Sequence, residues 1–412
     1  MRVLLIGVGT VGEAIARMSA SRDWCETLVL ADYDVARARS LEAELGGSGS
    51  GKITVEGIDA RDANAVAELA QRQRVDLVMN AVDPRFVMPI FDGALTAGVD
   101  YMDMANSLSR PHLEDPFHRP GVKLGDEQFA RDADWRAAGR LALLGMGMDP
   151  GLTDVFAAYA AKHLFDEVDE VHIRDGGDLR IEGYAFAPVF SIWTTIEECL
   201  NPPVIWDGDQ GTWLTTEPFS APELFPFPEG IGPVECVNVE HEEVLLVPRW
   251  IKARRVTFKY ALGSDFIEKL RIIHALGMDR TDPVEVKGVK VSPRDVLAAI
   301  TPDPITLGDR MVGRAIVGTW VIGRKDGRPR EVFLYQMADA QETLRRTGSQ
   351  VVGWQTGFNP VIAMELIASG AWSGSGVLGP EALDPDPYLA LLDRDGIHHS
   401  MVEMEPGSHR PT

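Results

Sequence analysis

The sequence predicts an α/β chain in two parts: an N-terminal doubly wound parallel sheet, then a second α+β region of largely antiparallel strands. Three observations predict it. An apolar strand at Val3–Ile6 runs directly into glycines at positions 7, 9 and 12. Strand and helix patterns then alternate to about residue 150, which implies a parallel sheet covered by helices on both faces. From about residue 168 onward, short strand-like runs dominate, with few helices between them.

The glycine spacing is that of a dinucleotide cradle. Gly7 makes the tight strand-to-helix turn, Gly9 lets a pyrophosphate approach the backbone, and Gly12 lets the helix pack close to the strand; Thr10 and Val11 lie between them. The helix that follows directs its free N–H groups at the phosphates. A second buried strand, Thr27–Ala31, stops at Asp32, where an acidic side chain bonds ribose hydroxyls and repels the 2′-phosphate of NADP. NAD is therefore the expected cofactor. Arg37 and Arg39 leave NADP open, since a nearby Arg is the usual partner of the extra phosphate.

Further strands are expected at 52–55, 75–80, 101–102 and 140–144, with helices at 63–72, 86–97 and 126–139. The Gly46–Gly51 run has no strand before it and reads as a flexible connection. In the second part, strand patterns fall at 170–174, 234–238, 255–260, 315–322 and 331–335, and helices at 195–200, 266–276 and 293–299. The Pro- and Gly-rich stretch 202–233 reads as strand edges and loops. A late helix is expected over 361–368, after Gly357.

Bulk properties narrow the partners. At 412 residues the chain exceeds one ordinary core. A net charge of −22 disfavours nucleic acid and anionic membranes. Cys25, Cys199 and Cys236 show neither disulfide nor zinc spacing, and fit a reducing compartment. With no leader pattern and no apolar run of membrane-spanning length, a cytoplasmic protein is expected.

Ligands of open parallel sheets bind beyond the strands' carboxyl ends. After the third strand come Asp59 and Ala60, with Asp59 in reach of an adenine; after the fourth come Ala81 and Val82, small residues suited to the cofactor's middle. The fifth strand places Asp103 and Asn106 at the mouth of the cleft, with Asp103 the candidate proton-handling or ammonium-holding group. The sixth runs into a glycine-rich turn carrying Met148, Asp149, Thr153 and Asp154 at the junction of the two parts, where small-molecule sites concentrate. In the second part, Arg249 is the candidate carboxylate fork, and Tyr184, Ser191 and Trp193 form a mixed polar and aromatic run suited to a site wall. His241-Glu242 lacks the second His of the His-Glu-x-x-His zinc motif, and His398-His399 reads as solvent-exposed, so no metal is expected.

Taken together, the chain resembles the saccharopine dehydrogenase family. The resemblance rests on Leu4–Gly12, Tyr101-Met-Asp103, Gly147-Met-Asp-Pro-Gly151 opening a helix, Trp193–Glu198, Gln355-Thr-Gly357 and Gly376–Tyr388, which span nearly the whole chain. It implies a Rossmann domain over 1–150, a substrate and dimerisation domain over 151–352, and a segment 353–400 returning to the first domain; the polar last dozen residues, 401–412, read as a loose tail. It implies hydride transfer between NAD(P) and a C–N bond of an amino-acid derivative by a homodimer. Saccharopine or L-lysine is the leading substrate, with a carboxynorspermidine-type amine of polyamine metabolism as the alternative. A non-catalytic NAD-binding protein is the contrasting reading.

Overall fold

The computed structural model describes residues 1–46 and 51–407, so most of the expected flexible connection, Gly47–Ser50, lies outside the described residues. The first sheet is built from β1 (Arg2–Ile6), β2 (Thr27–Asp32), β3 (Ile53–Gly57), β4 (Leu77–Asn80), β5 (Asp100–Met102) and β6 (Leu141–Leu143). The second region supplies β7 (Glu167–Gly177), β8 (Arg180–Ile181), β9 (Val204–Asp207), β10 (Thr212–Thr215), β11 (Glu223–Phe227), β12 (Gly232–Asn238), β13 (Arg255–Tyr260), β14 (Val284–Val286), β15 (Val289–Val291), β16 (Met311–Val312), β17 (Arg314–Lys325) and β18 (Arg328–Asp339). The C-terminal part adds β19 (Gly376–Leu378) and β20 (His399–Met404).

The first sheet runs β19-β6-β5-β4-β1-β2-β3, and every neighbouring pair is parallel. Alternation along β1 explains its continuous apolar sequence. Val3 and Leu5 enter one core cluster, while Leu4 and Ile6 enter the other, so both faces are covered. Strand order reverses between β1 and β4, which opens a crevice at their carboxyl ends. Residues 376–378, far along the chain, complete this sheet on β6.

The second sheet is mixed. β7 pairs in parallel with β13 and antiparallel with β17, and the path continues through the long β17–β18 hairpin to β20. Pairing of β20 with β18 over 399–404 corrects the expected loose tail: the alternating apolar residues Val402 and Met404 pack against the core at a sheet edge, while Met401 is exposed. The stretch read as edges and loops holds β9, β10 and β11. The late helix is longer than expected, Val351–Ser369, because Gly353, Gly357 and Pro360 interrupt its apolar pattern without breaking it. No helix among the described residues is long and apolar enough to cross a membrane.

Candidate active site

The three glycines of the opening turn do what their spacing demands. Gly7 has φ +96°, and a Cβ there would lie 2.5 Å from Val82 Cγ1 and 2.6 Å from the Ala81 carbonyl oxygen. A Cβ on Gly12 would fall 2.0 Å from the Gly7 carbonyl, so only hydrogen lets the helix sit on the strand. Gly9 meets nothing within 4 Å. It heads helix Thr10–Ala20 with no side-chain cap, leaving the first turn's N–H groups facing that open space. A dinucleotide pyrophosphate fits this cradle.

Asp32 closes the turn from the side. Its Oδ2 accepts from the Val8 N–H at 2.9 Å and its Oδ1 from the Asp34 N–H at 2.9 Å, so the carboxylate is fixed at the tip of β2. Tyr33, next in sequence, is 87% exposed. Ala81 and Val82 lie where β4 ends; the Ala81 N–H bonds the Ile6 carbonyl and the Val82 N–H bonds Asn80 Oδ1. Asp59 is exposed and paired with Arg61 Nη2 at 2.7 Å, which holds its carboxyl down at about 2. Ala60 packs against the sheet's outer core.

Asp103 is a correction. Rather than opening on the cleft it is 1% exposed, and its carboxylate accepts from Tyr101 Oη (2.9 Å), Gln128 Nε2 (2.7 Å) and the Gly145 N–H (2.8 Å). Burial pushes its pKa up to about 7 against those donors. Its place is to tie the end of β5 to the turn after β6. Asn106 is equally enclosed: its backbone N–H reaches Glu242 Oε1 at 3.1 Å, and its side-chain amide lies in the interior, away from any opening.

That turn, Gly145–Gly151, is folded by bonds from the Gly147 N–H to the Pro150 carbonyl and from the Thr153 N–H to the Met148 carbonyl. It delivers Met148 and Asp149 to a cavity of about 320 Å³ at the junction of the two regions. Asp175 and Tyr260, at the carboxyl ends of β7 and β13, line the same cavity, with Thr195, Gln355 and Thr356. Tyr184 stands in its wall.

Thr153, Trp193 and Arg249, expected at the substrate, lie outside the lining of this cavity. Thr153 is fully buried and donates to Glu243 Oε1 at 3.1 Å. The Trp193 ring carries the guanidinium of Arg85 at 3.4 Å and that of Arg294 at 4.7 Å, joining the two regions. Arg249, exposed near the end of helix Glu243–Trp250, stacks on Phe129 at 3.6 Å.

Acidic groups converge behind the cavity. Asp175 is hydrogen-bonded to Asp149 and to Tyr260, and burial pushes its pKa up to about 7. Burial likewise raises Glu198 to about 8 and Asp149 well above the usual carboxylate range. His241 is the cation of this cluster. Burial opposes its charge, but Glu243, Glu242 and Asp149 outweigh that and hold it well above its ordinary value. Its Nδ1 donates to Glu243 Oε2 at 2.5 Å, and its ring lies 3.7 Å above Phe258, nearly parallel. Donor atoms of Asp149, His241 and Glu243 all fall within 4.8 Å of one another. Asp149 and Asp175 thus lie at the cavity face, with the His241–Glu243 pair behind them.

Two family models cover the chain: the saccharopine dehydrogenase NADP binding domain over residues 3–143, and the saccharopine dehydrogenase C-terminal domain over 147–397. The chain belongs to the saccharopine dehydrogenase family. Saccharopine dehydrogenase (L-Glu forming) from Saccharomyces cerevisiae shares the fold, with a TM-score of 0.67 over 98% of this chain and 100% of that one at 15% identity. Among curated relatives, a carboxyaminopropylagmatine dehydrogenase of Synechocystis sp. is 31% identical over 96% of each chain. A carboxynorspermidine synthase of Vibrio cholerae is 30% identical over 99% of this chain and 98% of its own. This member of the saccharopine dehydrogenase family is thus an NAD(P)-dependent dehydrogenase.

The residues missed by sequence reasoning are Asp175, Glu198, His241, Glu243 and Tyr260. Strand-end logic, applied to the second sheet as well as the first, singles out Asp175 and Tyr260. His-Glu-Glu at 241–243 carried a signal too: three ionisable residues directly before the apolar run Val244–Val247.

Proposed function

We propose that this chain transfers hydride between NAD(P) and a C–N bond of an amino-acid-bearing polyamine, in place of saccharopine or L-lysine. The observation that carries the reading is the pair Asp149 and Asp175 facing the cavity beside Met148 and Thr356, the end nearest the dinucleotide seat. Thr356 lies on the helix whose Gly353 would place a Cβ 2.6 Å from Thr10 Cγ2 of the cofactor helix. Carboxylates there favour positive charge on a reacting nitrogen. The names of the relatives with the highest whole-chain similarity reported above point the same way.

A bound nicotinamide supplies the hydride chemistry. Asp149 accepts the proton that an ammonium group must lose before its carbon is oxidised, and returns it in the reverse direction; its raised pKa suits it to both. His241 and Glu243 position Asp149 and balance its charge. Arg180, the basic side chain lining the cavity, takes the place expected of Arg249 as partner of a substrate carboxylate. Asp32, fixed at the tip of β2, supports NAD over NADP.

Oxidation of carboxynorspermidine, carboxyaminopropylagmatine, saccharopine and L-lysine with NAD and with NADP, followed by absorbance of the reduced cofactor, tests the proposal. Turnover is expected with the first two, with higher kcat/KM for NAD. Asp149→Asn is expected to lower kcat by about 100-fold or more, the usual scale for a general base. Turnover confined to saccharopine or L-lysine overturns the reading.

A further inference from the structure

We propose that the outer end of the cavity is a seat for the cationic tail of the substrate, formed by Asp265 with the aromatic pair Phe186 and Phe266. This rests on the amine reading above and assigns the part of the substrate that does not react.

The cavity has two unlike ends. Its inner end is set by Met148, Asp149 and Thr356, next to the cofactor helix. Its outer end is where lining side chains reach solvent: Tyr184 is 46% exposed, and the side chain of Asp265 is 84% exposed. The wall also holds the apolar side chains of Leu262, Val317 and Val352. A substrate whose reacting carbon lies at the inner end must therefore extend an alkyl chain along that wall and leave its far end at Asp265.

The chemistry of the outer end selects a cation. Phe186 and Phe266 stack with centroids 5.0 Å apart and planes 16° from parallel, and both line the cavity. Aromatic faces attract ammonium and guanidinium groups. Asp265, in the first turn of helix Ser264–Ala275, supplies the counter-charge next to Phe266. Its partner is the half-buried Lys269, one turn further along the helix. With Asp265 open to solvent, such a pair is weak and exchanges for a ligand cation. Two carboxylates inside and Asp265 outside, with apolar side chains in the wall and Arg180 left to pair a substrate carboxylate, match a molecule bearing a cationic centre at each end of an aliphatic spacer.

The test compares amines of one spacer length with ammonium, guanidinium and neutral alkyl tails. Binding of 1,4-diaminobutane, agmatine and n-butylamine to the NAD-loaded protein is measured by calorimetry, alongside kcat/KM for substrates with the three tails. The wild-type chain is expected to favour both cationic tails over the neutral one. Asp265→Asn is expected to reduce that preference about fivefold, through KM rather than kcat, and Phe186→Leu is expected to reduce it most for guanidinium. Loss for guanidinium alone still supports the seat and assigns it to a flat cation. Equal weakening of cationic and neutral tails, or no change in their ratio, overturns it. Because the calorimetric arm needs no turnover, a substrate panel with no activity overturns the function while leaving the seat to be judged by binding.

Discussion

Asp103 shows how a residue can be placed by sequence and still be misread. Its position at the end of β5 was legible, since an apolar run ends there and ligands of such sheets gather at strand ends. Which way the side chain points was not, because that depends on Gln128 and Gly145, which are 25 and 42 residues away in the chain. With both oxygens filled by three donors, Asp103 holds the turn that presents Asp149. Asp103→Asn replaces one acceptor oxygen with a donor facing other donors, so a loss of about 1–3 kcal/mol in stability is expected. Chemical denaturation followed against kcat separates the roles. A drop in stability with kcat within tenfold of wild type fits the structure, while a hundredfold loss of kcat at unchanged stability restores Asp103 to the reaction. By contrast Gly7, Gly9 and Gly12 were fully legible, because their roles are set by backbone geometry within one turn.

At the scale of elements, the first sheet was readable for the same local reason: each strand and its following helix carry their own periodicity and caps, as at Asp62 before helix Ala63–Gln73. The acidic cluster was not, because it is assembled from the turn after β6, the ends of β7 and β13, and the starts and faces of helices Ile192–Leu200 and Glu243–Trp250. Bringing these elements together raises Asp175 to about 7 and Glu198 to about 8, both by burial. The sign of the consequence follows. A raised carboxyl pKa means the native state holds its proton more tightly than the unfolded chain does, so this contribution to stability is complete below about pH 4 and is lost as pH rises through 7 to 8. A bound cation reverses the preference by favouring the carboxylates. Amine affinity is therefore expected to rise from pH 6 to 8 with release of protons, and to fall only where the amine itself deprotonates. Calorimetry in two buffers of different ionisation enthalpy reads the proton release directly, and an affinity that is flat or falling between pH 6 and 8 contradicts the arrangement.

Over the whole molecule, the connection between cofactor and substrate runs through helix Val351–Ser369. Its amino-terminal half packs on helix Thr10–Ala20 while Gln355 and Thr356 enter the cavity, so one rigid element touches both sites. Burial on nearly every side explains why its sequence lacks an amphipathic stripe and why its first ten residues were not recognised as helical. The contact is close because Gly353 and Gly357 carry no side chain: a Cβ at 353 would lie 2.6 Å from Thr10 Cγ2 and 3.0 Å from the Thr10 carbonyl oxygen, and one at 357 would lie 3.0 Å from Ala14 Cβ. Gly353→Val must push the two helices apart, a misfit of the overpacking kind that costs about 1–3 kcal/mol. Since Thr10 belongs to the phosphate turn and Thr356 to the substrate wall, the displacement is expected to raise KM for the cofactor and lower kcat together, each by about tenfold, a scale set by that misfit energy. Ala368→Ser, at the exposed far end of the same helix, serves as the comparison and is expected to leave both unchanged. Steady-state kinetics with varied cofactor and varied amine decide the matter: a Gly353→Val protein impaired only in amine KM would mean that the helix serves the cavity alone.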